Sequence, residues 1–385
     1  MGIRRIFFFA CVVLLASILS GCWNYREIDQ VNIVAGIAVD KDENSDGYEL
    51  TAEIVEVSGG KDAKISSEII SVKGDTMFDA ARNAIAISGK RLYWSHAKAI
   101  IISSEQAKEG IGKIIDWYNR DSETRADVNI IISRTKKAKD ILDKAASIQE
   151  ILSFEMEDMI SNQASLSKAP SQEVWQFLNI LEAEGVMPLI PVVDLRTING
   201  KSNLDIDGGA VFRKDKLVGF IDGEDIKYVL FAMDRIKGGL LIENIEENGE
   251  ESKVSLEIFE SDTKVRPVKL AENKAAIKLE VEVVVAVGEI KGYADVINEE
   301  GRKKLRGITE ASLKKNIETV IKKIQKEYKS DIFGFGEKIR EKFPSAWEKM
   351  RKDWENSFGE LEVQVSCKAR IENSAMAARP VKAGG

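Results

Sequence analysis

Apolar and polar residues alternate along several stretches of this chain, and elsewhere apolar positions recur every three or four residues. The first pattern is that of strands with one buried face, the second that of helices. In the first half, strand-like runs occupy Val31 to Val39, Tyr48 to Val57, Ile69 to Val72, Ala97 to Ile102 and Val128 to Arg134. Helical runs alternate with them. One starts after Gly74-Asp75, with Asp75 or Thr76 as N-cap and Phe78, Ala81 and Ile85 on one face. Another, Gln106 to Asn119, places Ile111, Ile114, Ile115 and Tyr118 at helical spacing, and a third covers Ala138 to Ala146. Ser147 to Leu181 reads as helical but interrupted at Pro170.

The polar segment Asn199-Gly200-Lys201-Ser202-Asn203 has no apolar anchor and is expected to be a linker or long turn. It divides an N-terminal α/β region, residues 22–198, from a C-terminal α+β domain, residues 205–385. The second half opens with a hairpin pattern, Gly208 to Phe212 and Leu217 to Phe220 around a charged turn. Clean alternation follows at Val254, Leu256, Ile258 and at Ile277, Leu279, Val281, Val283, Val285, Val287. A long amphipathic helix carries Leu305, Ile308, Leu313, Ile317, Val320, Ile321, Ile324 and Tyr328, and a second carries Phe343, Trp347, Met350 and Trp354. Leu361 to Ile371 supplies a closing strand. The expected class is a multi-domain α+β protein with mixed and antiparallel sheets and helices packed on one face. Its C-terminal domain is expected to combine an antiparallel sheet with long amphipathic helices.

The N-terminus breaks this pattern. Arg4 and Arg5 precede an unbroken apolar run from Ile6, which ends in Leu19-Ser20-Gly21-Cys22. That is the arrangement of a bacterial lipoprotein signal peptide, residues 1–21, with Cys22 as the first mature residue and the site of lipidation. The run is shorter than the ~20 residues that cross hydrocarbon. Several acyl chains on Cys22 would anchor the chain where one would not. The mature chain is expected on the extracytoplasmic face of a membrane.

Charge narrows the partners. Of 56 basic side chains, 54 remain without Arg4 and Arg5, against 63 acidic ones, a net −9. Such a balance argues against nucleic acid and gives no polybasic support to membrane binding. Among the three cysteines, Cys11 leaves with the leader and Cys22 is taken by lipid, so Cys367 has no partner and reads as a small buried hydrophobe.

Candidate catalytic and metal chemistry finds little support. The lone histidine, His96, excludes a multi-histidine metal site, and no H-E-x-x-H, C-x-x-C or G-x-S-x-G occurs. Asp40-Lys41-Asp42-Glu43-Asn44-Ser45-Asp46-Gly47 has oxygen side chains at alternate positions, as a calcium loop does. It lacks the glycine after Asn44, and Thr51 stands where a bidentate glutamate belongs, so a solvated turn is expected. The run Asp331-Ile332-Phe333-Gly334-Phe335-Gly336 puts two phenylalanines among glycines. It is either a helix break that plugs the core or an exposed aromatic loop that docks a partner. Trp347 and Trp354 pose the same choice. Phe333, Phe335, Trp347 and Trp354 are therefore the candidate interface residues.

Five strings resemble the Ger(x)C family of spore germination lipoproteins. They are Cys22 to Ile28 followed by Ile33 to Asp40, Leu92 to Ala97, Asp116 to Asp121, Gly209 to Phe212 with Lys216 to Gly219, and Ser330 to Gly336. Asn24 and Tyr25 stand where many members carry an Asp-Arg or Asp-Lys pair. The resemblance implies the C subunit of a nutrient germinant receptor in the spore inner membrane, working with two integral membrane subunits of A and B type. It also implies no catalytic activity and no cofactor. The family's several small domains imply a further division of the first region near Ser147. A solute-binding lipoprotein of a transporter is the alternative, and an exported hydrolase acting through His96 is the third reading.

Overall fold

The computed structural model describes residues 2–9, 30–59, 64–145, 150–247, 249–271, 274–296 and 298–372. Residues 2–9 are helical. Cys22 with most of the leader, and the expected division near Ser147, lie outside the described residues. No described helix is long and apolar enough to cross a membrane.

The first sheet contains nine strands among the described residues. A meander opens it: β1 (Val31–Lys41), β2 (Tyr48–Ser58) and β3 (Lys64–Gly74) are antiparallel, and the short β4 (Arg91–Tyr93) runs beside the start of β1. On the other side of β1, β5 (Ala99–Ser103), β6 (Asn129–Ser133) and β7 (Leu189–Ile198) continue the sheet in parallel. The sequence already shows why β5 and β6 sit in the middle. They read Ala-Ile-Ile-Ile-Ser and Asn-Ile-Ile-Ile-Ser, without a polar face, and every residue of both is buried. Continuous apolar strands need cover on both sides. Ile100, Ile102, Ile130 and Ile132 enter one core with α1 (Met77–Ser88), α3 (Gly112–Arg120) and α7 (Val174–Glu182). Ile101 and Ile131 enter another with α4 (Lys139–Lys144) and α5 (Leu152–Ser161). The short α2 (Ser104–Glu109) and α6 (Gln163–Leu166) complete this half. Pro170 lies between α6 and α7, in the break that was expected there.

Of the linker and the long turn open to Asn199 to Asn203, the structure forms a turn, shorter than expected. Asn199 and Gly200, with φ of 51° and 78°, form the two-residue turn that joins β7 to β8 (Lys201–Arg213), with Ile198 paired to Lys201. Two consecutive left-handed residues make the turn that matches strand twist, and Asn-Gly is its preferred sequence. The polarity that suggests a linker is that of a solvated hairpin end. β8 and β9 (Lys216–Ile221) thus extend the first sheet, and the chain leaves it through α8 (Gly223–Ala232).

The second sheet has the order β10 (Leu240–Glu247), β11 (Glu250–Ala271), β12 (Lys274–Lys291) and β13 (Val363–Glu372). Its first three strands are antiparallel, as the alternation predicts, while β13 is parallel to β12. The cause is the connection. From β12 the chain returns through α9 (Glu299–Glu327), about 44 Å long at helical rise, so β13 re-enters in the direction of β12. Helices α10 (Phe335–Lys342), α11 (Pro344–Met350) and α12 (Trp354–Gly359) fill the rest of that crossover. One core unites the halves: Leu189, Val211 and Ile221 of the first sheet, Ile226 and Phe231 of α8, and Leu256, Ile277, Leu279, Ile317 and Ile321 all belong to it.

Candidate functional site at the junction of the two sheets

The segment Ser330 to Gly336 lies where the halves meet. Asp331 is buried, and its carboxylate accepts from the amides of Phe335 (3.1 Å) and Gly336 (2.8 Å), which start α10. Burial pushes the acid up to about 7, while four backbone amides, those of Phe333 to Gly336, pull it the other way. The Ser330 hydroxyl donates to the Phe212 carbonyl on β8. The Met187 amide, at the entry to β7, donates to the Asp331 carbonyl at 2.8 Å.

Three glycines let these parts touch. A Cβ on Gly219 of β9 would stand 2.3 Å from the Tyr328 ring, whose hydroxyl instead donates to the Phe220 carbonyl at 2.7 Å. Gly185 and Gly336 face one another so closely that a Cβ on either would lie 2.8 Å or less from the other's backbone. Arg213 closes the contact through Nη2 to the Tyr328 carbonyl, 2.8 Å. The strings Gly209 to Phe212, Lys216 to Gly219 and Ser330 to Gly336 are thus one structural unit.

The aromatic residues complete it from inside, which corrects their assignment as an exposed docking surface. Phe335 is fully buried, and Trp347, Phe333 and Trp354 are 2%, 8% and 9% exposed. Phe333 stacks on Phe335 with centroids 5.0 Å apart, and Trp347 meets Trp354 edge to face at 5.0 Å. Gly334, at φ 72°, supplies the turn between the two phenylalanines. Rings of this size gain most by complete removal from water. Only the Trp347 Nε1 reaches outward, donating to Glu184 at 3.2 Å.

A second convergence lies in the first half. Trp94 and Trp117 meet edge to face at 5.6 Å, so the strings around them pack together. Ser95 donates to the Glu123 carbonyl at 2.6 Å, and exposed His96 occupies the same turn, its ring 6.0 Å from that of Tyr93. Within Ile33 to Asp40, Gly36 makes room for Ser153, whose Oγ a Cβ would approach to 2.1 Å. Buried Glu53 accepts from the amides of Leu152 (2.8 Å) and Ser153 (2.9 Å) and from the Ser153 hydroxyl (2.6 Å). Asp40 caps α4 in the same way, accepting from Ala138 (2.6 Å) and Lys139 (3.0 Å), while desolvation raises its pKa. Two carboxylates of the opening meander thus hold the N-termini of two helices, where positive dipole ends favour them. Sequence inspection gives Asp40 as part of an acidic turn and as the end of one of the five strings, and does not find Glu53; both are buried acids on strands of the opening meander.

In the Asp40 to Gly47 turn, the Asp40 carboxylate is taken up by the α4 cap. Asp42 accepts from Ser45 at 2.9 Å and pairs with Lys73. Among the described residues no cluster of three or more His, Cys, Asp or Glu could hold a metal. Cys367 is half-buried on β13, and burial pushes its thiol up to about 12, away from nucleophilic chemistry.

Two halves, locked by buried loops and a shared core, define a two-sheet α+β protein in which the strings around Gly209, Lys216 and Ser330 are structural clasps. The chain belongs to the GerAC-like spore germination protein family: its residues 24–195 match the spore germination protein N-terminal domain, and residues 207–375 match the spore germination B3/GerAC-like C-terminal domain. The Asn199-Gly200 hairpin lies between the two matches, inside a sheet that continues through it. Spore germination protein KC of Bacillus subtilis (strain 168) is 24% identical over 99% of this chain and 98% of its own length. Spore germination protein B3 of the same organism is 23% identical over 95% of this chain and 97% of its own. The crystal structure of the GerBC protein superposes with a TM-score of 0.55 at 21% identity, over 87% of this chain and 96% of that one, so the fold is shared.

Proposed function

We propose that this chain is a lipid-anchored, non-catalytic subunit of a spore nutrient germinant receptor, held through Cys22 on the extracytoplasmic face of the spore inner membrane. It docks there on two integral membrane partner subunits. The observation that carries this reading is the combination of a lipobox at Leu19 to Cys22 with family matches across nearly all of the remaining sequence. The germination role of the similar proteins supports it. The folded part supports it too, because its family motifs form clasps and caps, and Cys367, the thiol that lies within it, is driven toward its protonated form. A transporter's solute-binding lipoprotein would place a second doubly covered parallel sheet across a cleft, whereas the second sheet here is largely antiparallel. The test is Cys22→Ala in spores. The variant is expected to lose acyl labelling and membrane retention and to germinate slowly in nutrient, with normal release by a non-nutrient trigger. Full nutrient response from an unlipidated, soluble chain would refute the anchored role.

A further inference from the structure

A cleft of about 350 Å³ opens between the first half and the connection that leads from α8 to β10. One wall comes from β6 and the segments around α5 to α7, the other from Leu230, Arg235 and Lys237. The walls are closely joined: the Ser167 hydroxyl donates to the Gly238 carbonyl at 2.7 Å, and a Cβ on Gly238 would lie 2.6 Å from the Ala164 carbonyl oxygen. The volume is at the lower end for small-molecule sites, about 300–1,000 Å³.

The polar groups of this cleft divide into engaged and unengaged. Its three carboxylates are engaged: Asp127 with Arg125 at 2.9 Å, Glu157 with Lys98 at 2.8 Å, and Glu173 with the Trp175 indole. Asn129 is 9% exposed, yet its carboxamide has no hydrogen-bond partner among the described residues and faces the cleft. Arg235, exposed on the opposite wall, has no ion-pair partner among the described residues. The Asn129 carboxamide and the Arg235 guanidinium thus both line the cleft with hydrogen-bonding capacity that no other described residue takes up.

We propose that this cleft binds a small organic carboxylate, with the Arg235 guanidinium as its counter-ion and the Asn129 carboxamide as a hydrogen-bonding group. The planar guanidinium fork suits a carboxylate. Because the walls belong to the first half and to the connection entering the second sheet, an occupant tightens the junction between them. This inference does not depend on the receptor reading, since it is read as binding by the isolated full chain.

The probes are lactate, its uncharged methyl ester, succinate and inorganic phosphate, at matched ionic strength, read by thermal shift and calorimetry on the full-length protein. Lactate or succinate is expected to raise the melting temperature by a few degrees, and the ester is expected to have no effect. Arg235→Gln should weaken binding by roughly tenfold or more, the loss expected for one charge-assisted hydrogen-bonding group. Asn129→Ala should weaken it as well, and it carries the test if Arg235→Gln fails to fold. The proposal is overturned if neither carboxylate stabilises the chain, if the ester or phosphate acts equally well, or if a folded variant binds as the wild type does.

Discussion

Buried acids set much of what single residues contribute here. Asp331, with an acidity near 7 against an ordinary 3.8, holds its proton more tightly folded than unfolded. Its contribution to stability is therefore fully present below about pH 4, declines as pH rises toward 7, and is level above that. Buried Glu243 on β10, also raised by desolvation to about 7, acts in the same direction. Urea unfolding midpoints are expected to fall between pH 4 and 7 in the wild type. Asp331→Asn and Glu243→Gln should each remove part of that slope, and an unchanged slope in both would contradict the assignment. Glu53 differs because its three bonds go to a helix N-terminus. Glu53→Gln should cost about 2 kcal/mol, by loss of charge-assisted hydrogen bonds, measurable as a lower midpoint at neutral pH. Of these residues only Asp331 stood within a recognisable motif. The partners of the others, Leu152 and Ser153 for Glu53 and Ser312 for Glu243, lie on distant elements of the chain, beyond any local pattern.

At the scale of elements, periodicity carried most of the reading. The isoleucine strands β5 and β6, the alternating β11 and β12 and the stripe of α9 are all legible, because burial follows from period 2 or 3.6 directly. The Asn199-Gly200 turn was legible in principle as well, through its turn chemistry rather than its polarity. Gly200→Ala should destabilise by about 1 kcal/mol because an L side chain resists φ near 78°. The readout is the melting temperature, with Lys201→Ala as a neutral control in the same hairpin. The tight seat of β9 on Tyr328 is a second check. Gly219→Ala forces a Cβ into the ring and should cost about 2 kcal/mol by overpacking.

For the whole molecule, the continuous core from Leu189 and Val211 to Ile317 and Ile321 implies that the halves unfold together. A single calorimetric transition is expected in the wild type. Gly219→Trp, which should pry Tyr328 from β9, is expected to split it into two. Two transitions in the wild type would show that the shared core does not couple the sheets. The membrane retention proposed for Cys22 would also be a property of this scale, an anchor added outside both sheets.

What the sequence by itself determined was local: the elements, the α+β class, the lipobox and the family, each written in short strings or short periods. Only the tertiary structure decided where β8 and β9 belong, that β13 closes parallel, and that Phe333, Phe335, Trp347 and Trp354 face inward. The reason is physical. A glycine-flanked aromatic loop has the same sequence whether it faces water or a core, and what removes it from water is a surface contributed by residues more than a hundred positions away, such as Gly185, Met187 and Phe212.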